Sequence, residues 1–600
     1  MMDAVNDPKV ESVVIMSAAQ VGKTEIINNI IGYFIHQDPS PILLLQPTLQ
    51  MGEAWSKDRL MPMARDSKVF GDLISTDKKR DGGNTILHKS FPGGHITIAG
   101  ANSPASLASR PIRIVMMDEV DRYPLSAGEE GDPVNLARKR TTTFWNRKIV
   151  MVSTPTIKGQ SRISAAYESS DKRQYHVPCP QCGHMQVLAW KGVSWPEKQP
   201  EKAHYICLEN GCIITDADKP KMLQDGKWLA TAPFSGAAGF HLNELYSPWV
   251  SFAEIACNFL EAKKMPETLK TFTNTALAET WDADQEGEGV EQHILQQRCE
   301  KYRYAPYGVL FLTCGVDVQN DRIEGEILGW GKQYESWSVD YFVIHGNPAL
   351  PEIWNRLQEK LEAVVLHQSG LPMKIFTTCI DSGGHYTDEV YRFCTRVRGG
   401  LRVFAVKGAS QMGKILVSKP TNNNRFRVKL YMVATDTAKE LIYSRLKIEK
   451  PGPGYCHFPM HYDDEFFKQL TSEKFMQVFE KGRTRHLWKK TRPRNEALDC
   501  RVYNLAAYAI SPVNLSLAET NLNKRIEVFK EEQARKIAVE KMVTEQKKIM
   551  EQRETTAIPA KPKLKKIPFD ELLRKALKKG VITQMQFDRD MKEYLEGEKL

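Results

Sequence analysis

Residues 14–31, VIMSAAQVGKTEIINNII, constrain the fold more than any other stretch of the chain. Val13-Val14-Ile15-Met16 is a short apolar run of the kind that forms a buried strand. Beyond Gly22-Lys23-Thr24, the residues Ile26, Ile27, Ile30, Ile31 and Phe34 recur at helical spacing. A strand, a tight loop and a helix N-terminus together aim backbone N–H groups and the positive helix end at a phosphate. Gly22 would let the backbone pass close to such a ligand. Lys23 would reach the β- and γ-phosphates, and the Thr24 hydroxyl would help to hold Mg²⁺. The phosphate-loop consensus has glycine where this chain has Ser17, so the loop by itself does not decide the matter.

Two further strand ends point the same way. In PIRIVMMDEVDRYP an apolar strand, Ile112 to Met117, delivers Asp118 and Glu119 at its carboxyl end. Phosphoryl transfer needs one acid in the magnesium shell and another to orient the attacking water. Asp118 suits the first role and Glu119 the second. In KIVMVSTPT another apolar strand ends at Ser153-Thr154-Pro155, a small hydroxyl-bearing turn able to couple the state of the γ-phosphate to movement. Three such strand ends in this order predict a P-loop ATPase. Arg110 and Arg113 flank the second strand and are assigned no role.

Six hundred residues exceed what one core can organise, so roughly two to four domains are expected. No apolar run approaches the ~20 residues that span a bilayer. The start, MMDAVNDPKVES, is acidic and polar, unlike a signal peptide, which predicts an intracellular protein. Its eleven cysteines are then expected as thiols or metal ligands. Four of them are paired: Cys179 and Cys182 at C-x₂-C spacing, Cys207 and Cys212 at C-x₄-C, with twenty-four residues between the pairs. Two knuckles of this kind close a tetrahedral Cys₄ zinc site, structural because no position stays open for water. His176, His184 and His204 are spare ligands. The net charge of +10 leans weakly toward a polyanionic partner.

From residue 309 the pattern restarts. VLFLTCGVDVQ reads as a strand carrying Asp317, RIEGEILGW as a second and ESWSVDYFVI as a third. A helix follows, then the strand KIFTTCID ending at Asp381, a helix, the strand LRVFAVKG, and the helix EALDCRVYNLAAYA with Asp499 in its second turn. This is the element order of a ribonuclease-H-like fold. Asp317, Asp381 and Asp499 would converge on two Mg²⁺ or Mn²⁺ ions about 4 Å apart that clamp the attacking and leaving oxygens. Asp388, Glu324 and Glu326 lie close enough in sequence to assist, and His385 reads as a surface residue. CHFPMHYDDEFFKQLTSEK reads as a solvated edge around Phe466 and Phe467. The basic run EKGRTRHLWKKTRPRNEALD would track a nucleic-acid strand beside Asp499.

SAAQVGKTE, QPT, ANSPASLASRPIRIVMMDEVDRYP, STPT, the cysteine knuckles, IDSGGHYTDEVY and NEALDCRVYNLAAYA together resemble the lambda-type large terminase subunit, over residues 3 to 511. The resemblance implies an ATP-driven motor and nuclease that packages double-stranded DNA into tailed-phage heads. By it, Gln20, Val21, Gly22, Lys23 and Thr24 form the phosphate loop, which in this family often lacks the first glycine. Asp118 and Glu119 are the magnesium and water-orienting acids, Ser153 to Pro155 the coupling motif, and Asp317, Asp381 and Asp499 the nuclease acids. The implied partners are DNA, the small terminase subunit, the portal ring and further copies of the chain, in the host bacterial cytoplasm. Family members usually carry several dozen residues ahead of the loop. The short start leaves an alternative: a metal-dependent endonuclease of a prophage remnant with an impaired, N-terminally truncated ATPase.

The expected organisation is α/β and multidomain. A P-loop ATPase core spans residues 1–170, a Cys₄ zinc-knuckle insertion 171–230, a connecting region 231–304 and a ribonuclease-H-like nuclease domain 305–511. A charged helical tail, 512–600, comprises a long helix, a Pro/Lys linker (TTAIPAKPKLKKIP) and a short helical hairpin.

Overall fold

The computed structural model describes residues 1–71, 73–74, 84–103, 110–282, 290–397, 400–410, 415–422, 424–480, 483–555 and 568–597. They form two compact units, Met1–Leu522 and Asn523–Leu600.

The larger unit begins with a short helix, α1 (Met2–Asn6), and β1 (Ser12–Ser17), followed by α2 (Lys23–His36). Further strands are β2 (Pro41–Gln46), β3 (His88–Phe91), β4 (Gly94–Gly100), β5 (Ile114–Asp118), β6 (Lys148–Ser153), β7 (Arg173–Pro178) and β8 (Met185–Val187). After β9 (Val193–Ser194), β10 (His204–Ile206) and β11 (Ile213–Ile214), which make a small sheet of their own, come β12 (Lys227–Leu229) and β13 (Ala237–Leu242). The main sheet runs β12-β7-β13-β1-β6-β5-β2-β4-β3, with β8 on β7. β1 lies between β13 and β6 and is parallel to both. Val13 and Ile15 pack with Ile27, Ile30, Ile31 and Phe34 of α2, while Val14 and Met16 pack on the other face with Val115, Met117 and Met151. Burial on both faces is why β1 reads as an unbroken apolar run. Ala4 and Val5 of α1 are buried in the α2 core.

This sheet does not stop at residue 170. β7, β12 and β13 all come from residues 171–242 and join it on the far side of β1. Without β13 the phosphate-loop strand would be an edge with unpaired backbone groups. Ala238 and Phe240 of β13 instead bury themselves beside β1. The first cysteine knuckle lies between β7 and β8 of this sheet, and the second between β10 and β11 of the small sheet.

Two helices, α3 (Phe252–Ala262) and α4 (Pro266–Thr275), lead to the second sheet. Its strands are β14 (Phe311–Val318), β15 (Arg322–Trp330), β16 (Ser336–His345), β19 (Ile375–Asp381), β20 (Val403–Ala409), β21 (Leu430–Ala434) and β22 (Cys456–His457); β17 (Val365–Leu366) and β18 (Pro372–Met373) pair separately. The order is β21-β20-β19-β14-β15-β16-β22. β14, β15 and β16 are antiparallel neighbours, and β19, β20 and β21 run parallel to β14. On β14 the period of two separates the faces. Leu312, Cys314 and Val316 enter a core with Ile353, Trp354 and Leu357, while Thr313 bonds to Asn504 on the opposite side.

That opposite face is covered by α8 (Glu496–Ile510), preceded by α5 (Thr387–Arg396), α6 (Thr435–Leu446), α7 (Asp464–Leu470) and the hairpin of β23 (Glu473–Glu480) and β24 (Arg483–Lys490). Gly315 sets how closely α8 approaches: a Cβ there would lie 2.0 Å from the Cys500 carbonyl oxygen. Because the obstruction is backbone, Gly315→Ala is expected to cost roughly 3 kcal/mol of stability, measured as a lower unfolding midpoint in urea. Phe466 and Phe467 are core residues packed with Phe458, Leu498 and Val502, not the solvated edge expected from the sequence.

In the second unit the long helix α9 (Leu515–Thr555) continues past residue 522, and α10 (Phe569–Lys578) packs on α11 (Gln584–Gly597) as a hairpin. The Pro/Lys linker lies outside the described residues over 556–567.

Candidate functional site

The turn from β1 into α2 is built on two left-handed residues, Gln20 (φ 57°) and Gly22 (φ 89°). Ser17, where the consensus has glycine, is not among the residues with positive φ. It ends β1, is buried, and pairs with Leu242. A side chain therefore meets no backbone penalty there. The loop is held from behind: the Ala18 N–H donates to the Leu242 carbonyl (2.8 Å) and the Ala19 N–H to the Thr275 carbonyl (2.7 Å). Among the described residues, no hydrogen bond takes up the N–H groups of Gln20, Val21, Gly22, Lys23 or Thr24. Free donors converging at a helix N-terminus are what a polyphosphate requires.

Two strands away, β5 brings Asp118 and Glu119 to the same edge. The Lys23 ammonium donates to Glu119 Oε1 at 2.8 Å, and Arg122 lies 3.4 Å from Oε2. Glu119 adopts a left-handed backbone (φ 52°, ψ 50°), a strained conformation for a residue with a side chain. Asp118 is buried and accepts from Gln46 Nε2 at 3.1 Å. Burial raises its proton affinity above the usual carboxylate range, and neighbouring Glu119 adds to the shift.

β6 lies between β1 and β5 and carries Ser153, Thr154 and Pro155 at its end, all buried. Sequence reasoning missed the residue that organises this turn. Asp121 receives hydrogen bonds from Thr156 Oγ1 (2.8 Å) and the Ile163 N–H (2.8 Å), and its own N–H reaches Ser153 Oγ (3.4 Å). Thr156 and Lys158 in turn exchange backbone hydrogen bonds with Trp281, in the segment leading to the second sheet. Arg113 sits elsewhere, bound to Asp38 at the opening of β5 (2.8 and 2.7 Å).

In the second sheet, Asp317 and Asp381 end adjacent parallel strands, and Asp499 projects from α8 packed against both strands. Burial pushes Asp317 well above the usual carboxylate range, with the charges of Asp499 and Asp381 adding to it. Burial also raises Asp381, and lifts Asp499 to about 6. Among the described residues none of the three forms an ion pair. The hydrogen-bond donors that reach them are neutral: Gln319 for Asp317 (2.5 Å), the Gly383 N–H (3.1 Å) and the Tyr503 hydroxyl for Asp381, and Asn495 for Asp499 (2.9 Å).

Nearby acids differ. Glu324 is bound by Arg322 (2.5 Å), Arg494 (2.7 Å) and the Tyr341 hydroxyl, and Glu326 by Arg501 (2.8 and 2.6 Å). Both were expected as assistants to the trio, but their charges are already compensated inside the fold, which is structural work. Asp388 and His385 are exposed. Buried carboxylates without a cation form the donor set that hard divalent ions occupy. Tyr503, one turn beyond Asp499, was not singled out from the sequence; its hydroxyl faces Asp381.

The four cysteine sulfurs lie within 4.8 Å of one another, a grouping able to hold a metal ion. Each knuckle is closed by the same pair of backbone hydrogen bonds: Cys179 N–H to His184 O and Gly183 N–H to Cys179 O, then Cys207 N–H to Cys212 O and Gly211 N–H to Cys207 O. Gly183 (φ 72°) and Gly211 (φ 67°) supply the left-handed turns. Cys182 Sγ is 3.8 Å from Cys207 Sγ, too far for a disulfide. That separation matches the edge of a sulfur tetrahedron with metal–sulfur bonds of about 2.3 Å. Hydrogen bonding, chiefly with Asn210, draws the Cys182 thiol down to about 6, while burial pushes Cys212 up to about 12.

Free N–H donors facing paired acids at one sheet edge, joined to a second sheet whose carboxylates carry no cation among the described residues, are the features expected of a nucleotide-driven enzyme with a second, divalent-ion centre. The chain belongs to the phage terminase large subunit family. The model of the gpA ATPase domain matches residues 1–228, and that of the gpA endonuclease domain residues 237–521. The large terminase subunit of Enterobacteria phage P21 is 32% identical over 85% of this chain and 84% of its own length, and that of Escherichia phage lambda 31% identical over the same shares. The large terminase of a thermophilic bacteriophage is similar in structure at a TM-score of 0.41 and 10% identity, covering 84% of this chain and 95% of that one. The protein is thus an ATPase and endonuclease of phage DNA packaging. The comparisons support this two-activity reading over the truncated alternative.

Proposed function

We propose that ATP is bound and hydrolysed at the carboxyl edge of the first sheet, and that DNA is cut between the second sheet and α8. The observation that carries the second assignment is the contrast between compensated Glu324 and Glu326 and uncompensated Asp317, Asp381 and Asp499. In the first site, the N–H groups of Gln20 to Thr24 cradle the phosphates and Lys23 leaves Glu119 for the β- and γ-oxygens. Thr24 and Asp118 hold Mg²⁺, and Glu119 orients the attacking water. Ser153, Thr154 and Pro155, fixed through Asp121, pass the change at the γ-phosphate to Thr156–Lys158 and so to Trp281.

In the second site, Asp317, Asp381 and Asp499 hold the divalent ions on a ribonuclease-H-like sheet, whose order supports that fold. The bound ions would stabilise both the attacking and the leaving oxygen of the phosphodiester. Double-stranded DNA is the substrate of both activities; the small terminase subunit, the portal ring and further copies of the chain are the partners in the working motor. Among the described residues no helix is long and apolar enough to cross a membrane, and the host cytoplasm is the proposed site of action. The functional divisions are an ATPase sheet that runs to residue 242 and so takes in the cysteine knuckles, past the boundary at 170 read from the sequence, then a connecting region to 304, a nuclease over 305–511 and a helical tail over 512–600.

The direct test uses the whole chain. ATP turnover should rise on adding double-stranded DNA, and the same preparation should cut that DNA with Mn²⁺ or Mg²⁺. Loss of either activity from a folded, monodisperse sample overturns the corresponding half of the reading.

Cys179, Cys182, Cys207 and Cys212 are proposed to hold one structural Zn²⁺. Elemental analysis should find about one zinc per chain, and Cys207→Ser should lower both zinc content and melting temperature. Cys207 is buried with Val177, Tyr205 and Ile214, so loss of the metal loosens the packing around α3.

A further inference from the structure

Asn495 occupies the N-cap of α8, where asparagine ordinarily accepts a hydrogen bond from the first helical turn. Here its side chain makes no capping bond. The N–H of Ala497 is satisfied instead by Gln469 Oε1 of α7, at 3.2 Å. The Asn495 amide is thereby released for other contacts, and it is buried. Its Nδ2 donates to Asp499 Oδ2 (2.9 Å) and to Glu473 Oε1 (3.1 Å), and its Oδ1 accepts from Lys490 Nζ (2.7 Å). Glu473 and Lys490 are the paired first rung of the β23–β24 hairpin, and Glu473 is neutralised by two 2.8 Å bonds from Lys439 of α6.

We infer that Asn495 is a positioning residue for the nuclease centre: it fixes the Asp499 carboxylate by one oxygen and ties it to the base of the β23–β24 hairpin. This rests on the reading that Asp317, Asp381 and Asp499 hold divalent ions. A carboxylate on a helix surface samples several rotamers, and a hydrogen bond from a buried, immobile donor selects one. The two amide hydrogens are directed to two carboxylates, so neither can turn away without leaving a buried donor unpaired. Lys439 compensates Glu473, which leaves the charge of Asp499 for the metal. Partners of this outer kind typically carry 10–100-fold in metal affinity or activity.

The test measures Mn²⁺ binding to the full chain by electron paramagnetic resonance, without nucleotide, alongside Mn²⁺-dependent cutting and thermal melting. Asn495→Ala should weaken the Asp499-dependent Mn²⁺ site about tenfold, raise the Mn²⁺ needed for half-maximal cutting by the same factor, and recover near wild-type cutting at saturating Mn²⁺. Asn495→Ser keeps a helix-capping hydroxyl too short to bridge to Asp499, and serves if the alanine variant does not fold. Asp499→Asn separates the two claims. If Asp499→Asn loses a Mn²⁺ ion while the Asn495 variants bind it like the wild type, the positioning role is wrong and the metal reading stands. If Asp499→Asn binds Mn²⁺ unchanged, the metal reading fails and the inference with it. A melting temperature lowered together with cutting that excess Mn²⁺ does not restore would make Asn495 merely structural, which also overturns it.

Discussion

Asp381→Ala is expected to lower DNA cutting on the order of a thousandfold, equivalent to roughly 4 kcal/mol of transition-state stabilisation, with ATP hydrolysis unchanged. Asp381 ends β19 next to the strand that carries Asp317, and its hydrogen bonds come from neutral groups, the Gly383 N–H and the Tyr503 hydroxyl. Alanine removes a carboxylate that the fold does not pair with a cation, so stability is retained while the divalent site is not. Cutting of linear double-stranded DNA with Mn²⁺, followed on a gel against time, reads the effect. Retention of more than about a tenth of the wild-type rate would exclude Asp381 from the metal set. The same burial predicts a pH effect. Asp499 stands at about 6, above the unfolded value of ~3.9. The folded chain therefore binds the proton more tightly, and without added divalent ion its stability falls as pH rises through that window. Mn²⁺ favours the ionised form and should oppose the loss. Melting temperatures at pH 5 and 7.5, with and without Mn²⁺, should show the ion stabilising the protein mainly at the higher pH.

Lys23→Ala should remove ATP hydrolysis, by at least about a hundredfold, and leave Mn²⁺-dependent cutting in place. Lys23 is half of the 2.8 Å pair with Glu119, so the loop's one ammonium and the acid proposed to orient water already lie within reach of each other. Alanine leaves the backbone cradle of Gln20 to Thr24 but withdraws the charge that would meet the developing negative charge on the γ-phosphate. Turnover measured with and without double-stranded DNA decides it. Residual DNA-stimulated hydrolysis near the wild-type rate would place nucleotide chemistry elsewhere. The two variants together should give a reciprocal pattern, because the carboxylates and the phosphate loop lie on different sheets. One helix nonetheless links the two halves. α4 receives the Ala19 N–H at Thr275, while Glu267 near its other end pairs with Arg445 of α6 at 3.0 Å.

Local chemistry makes much of this protein legible in its sequence. The strand, loop and helix of residues 12–36 follow from apolar runs whose period changes at Gly22. Asp118 and Glu119 stand at the end of a buried parallel strand because such a strand is a continuous apolar run and the first polar residue marks its edge; Asp381 ends its strand too, although Thr377 and Thr378 interrupt the apolar run there. The cysteine cluster was legible because C-x₂-C and C-x₄-C, each with an adjoining glycine, specify two turns that gather their sulfurs.

What the linear chain could not express were compensations between distant residues. Glu324 and Asp317 look alike as acids on adjoining strands, and their pairing register places them side by side. Only the folded structure brings Arg322 and Arg494 to Glu324 and, among the described residues, no cation to Asp317. The first sheet likewise needed β13, more than two hundred residues beyond β1, because an edge position would have left the phosphate-loop strand with unpaired backbone. Asn495 reads as an ordinary helix cap until Gln469 is seen to do the capping. Spacing along the chain determined which groups could bind phosphate and zinc, since those motifs are local in their geometry. Tertiary packing decided which acids remain uncompensated, since charge neutralisation in a buried site depends on partners that sequence distance does not encode.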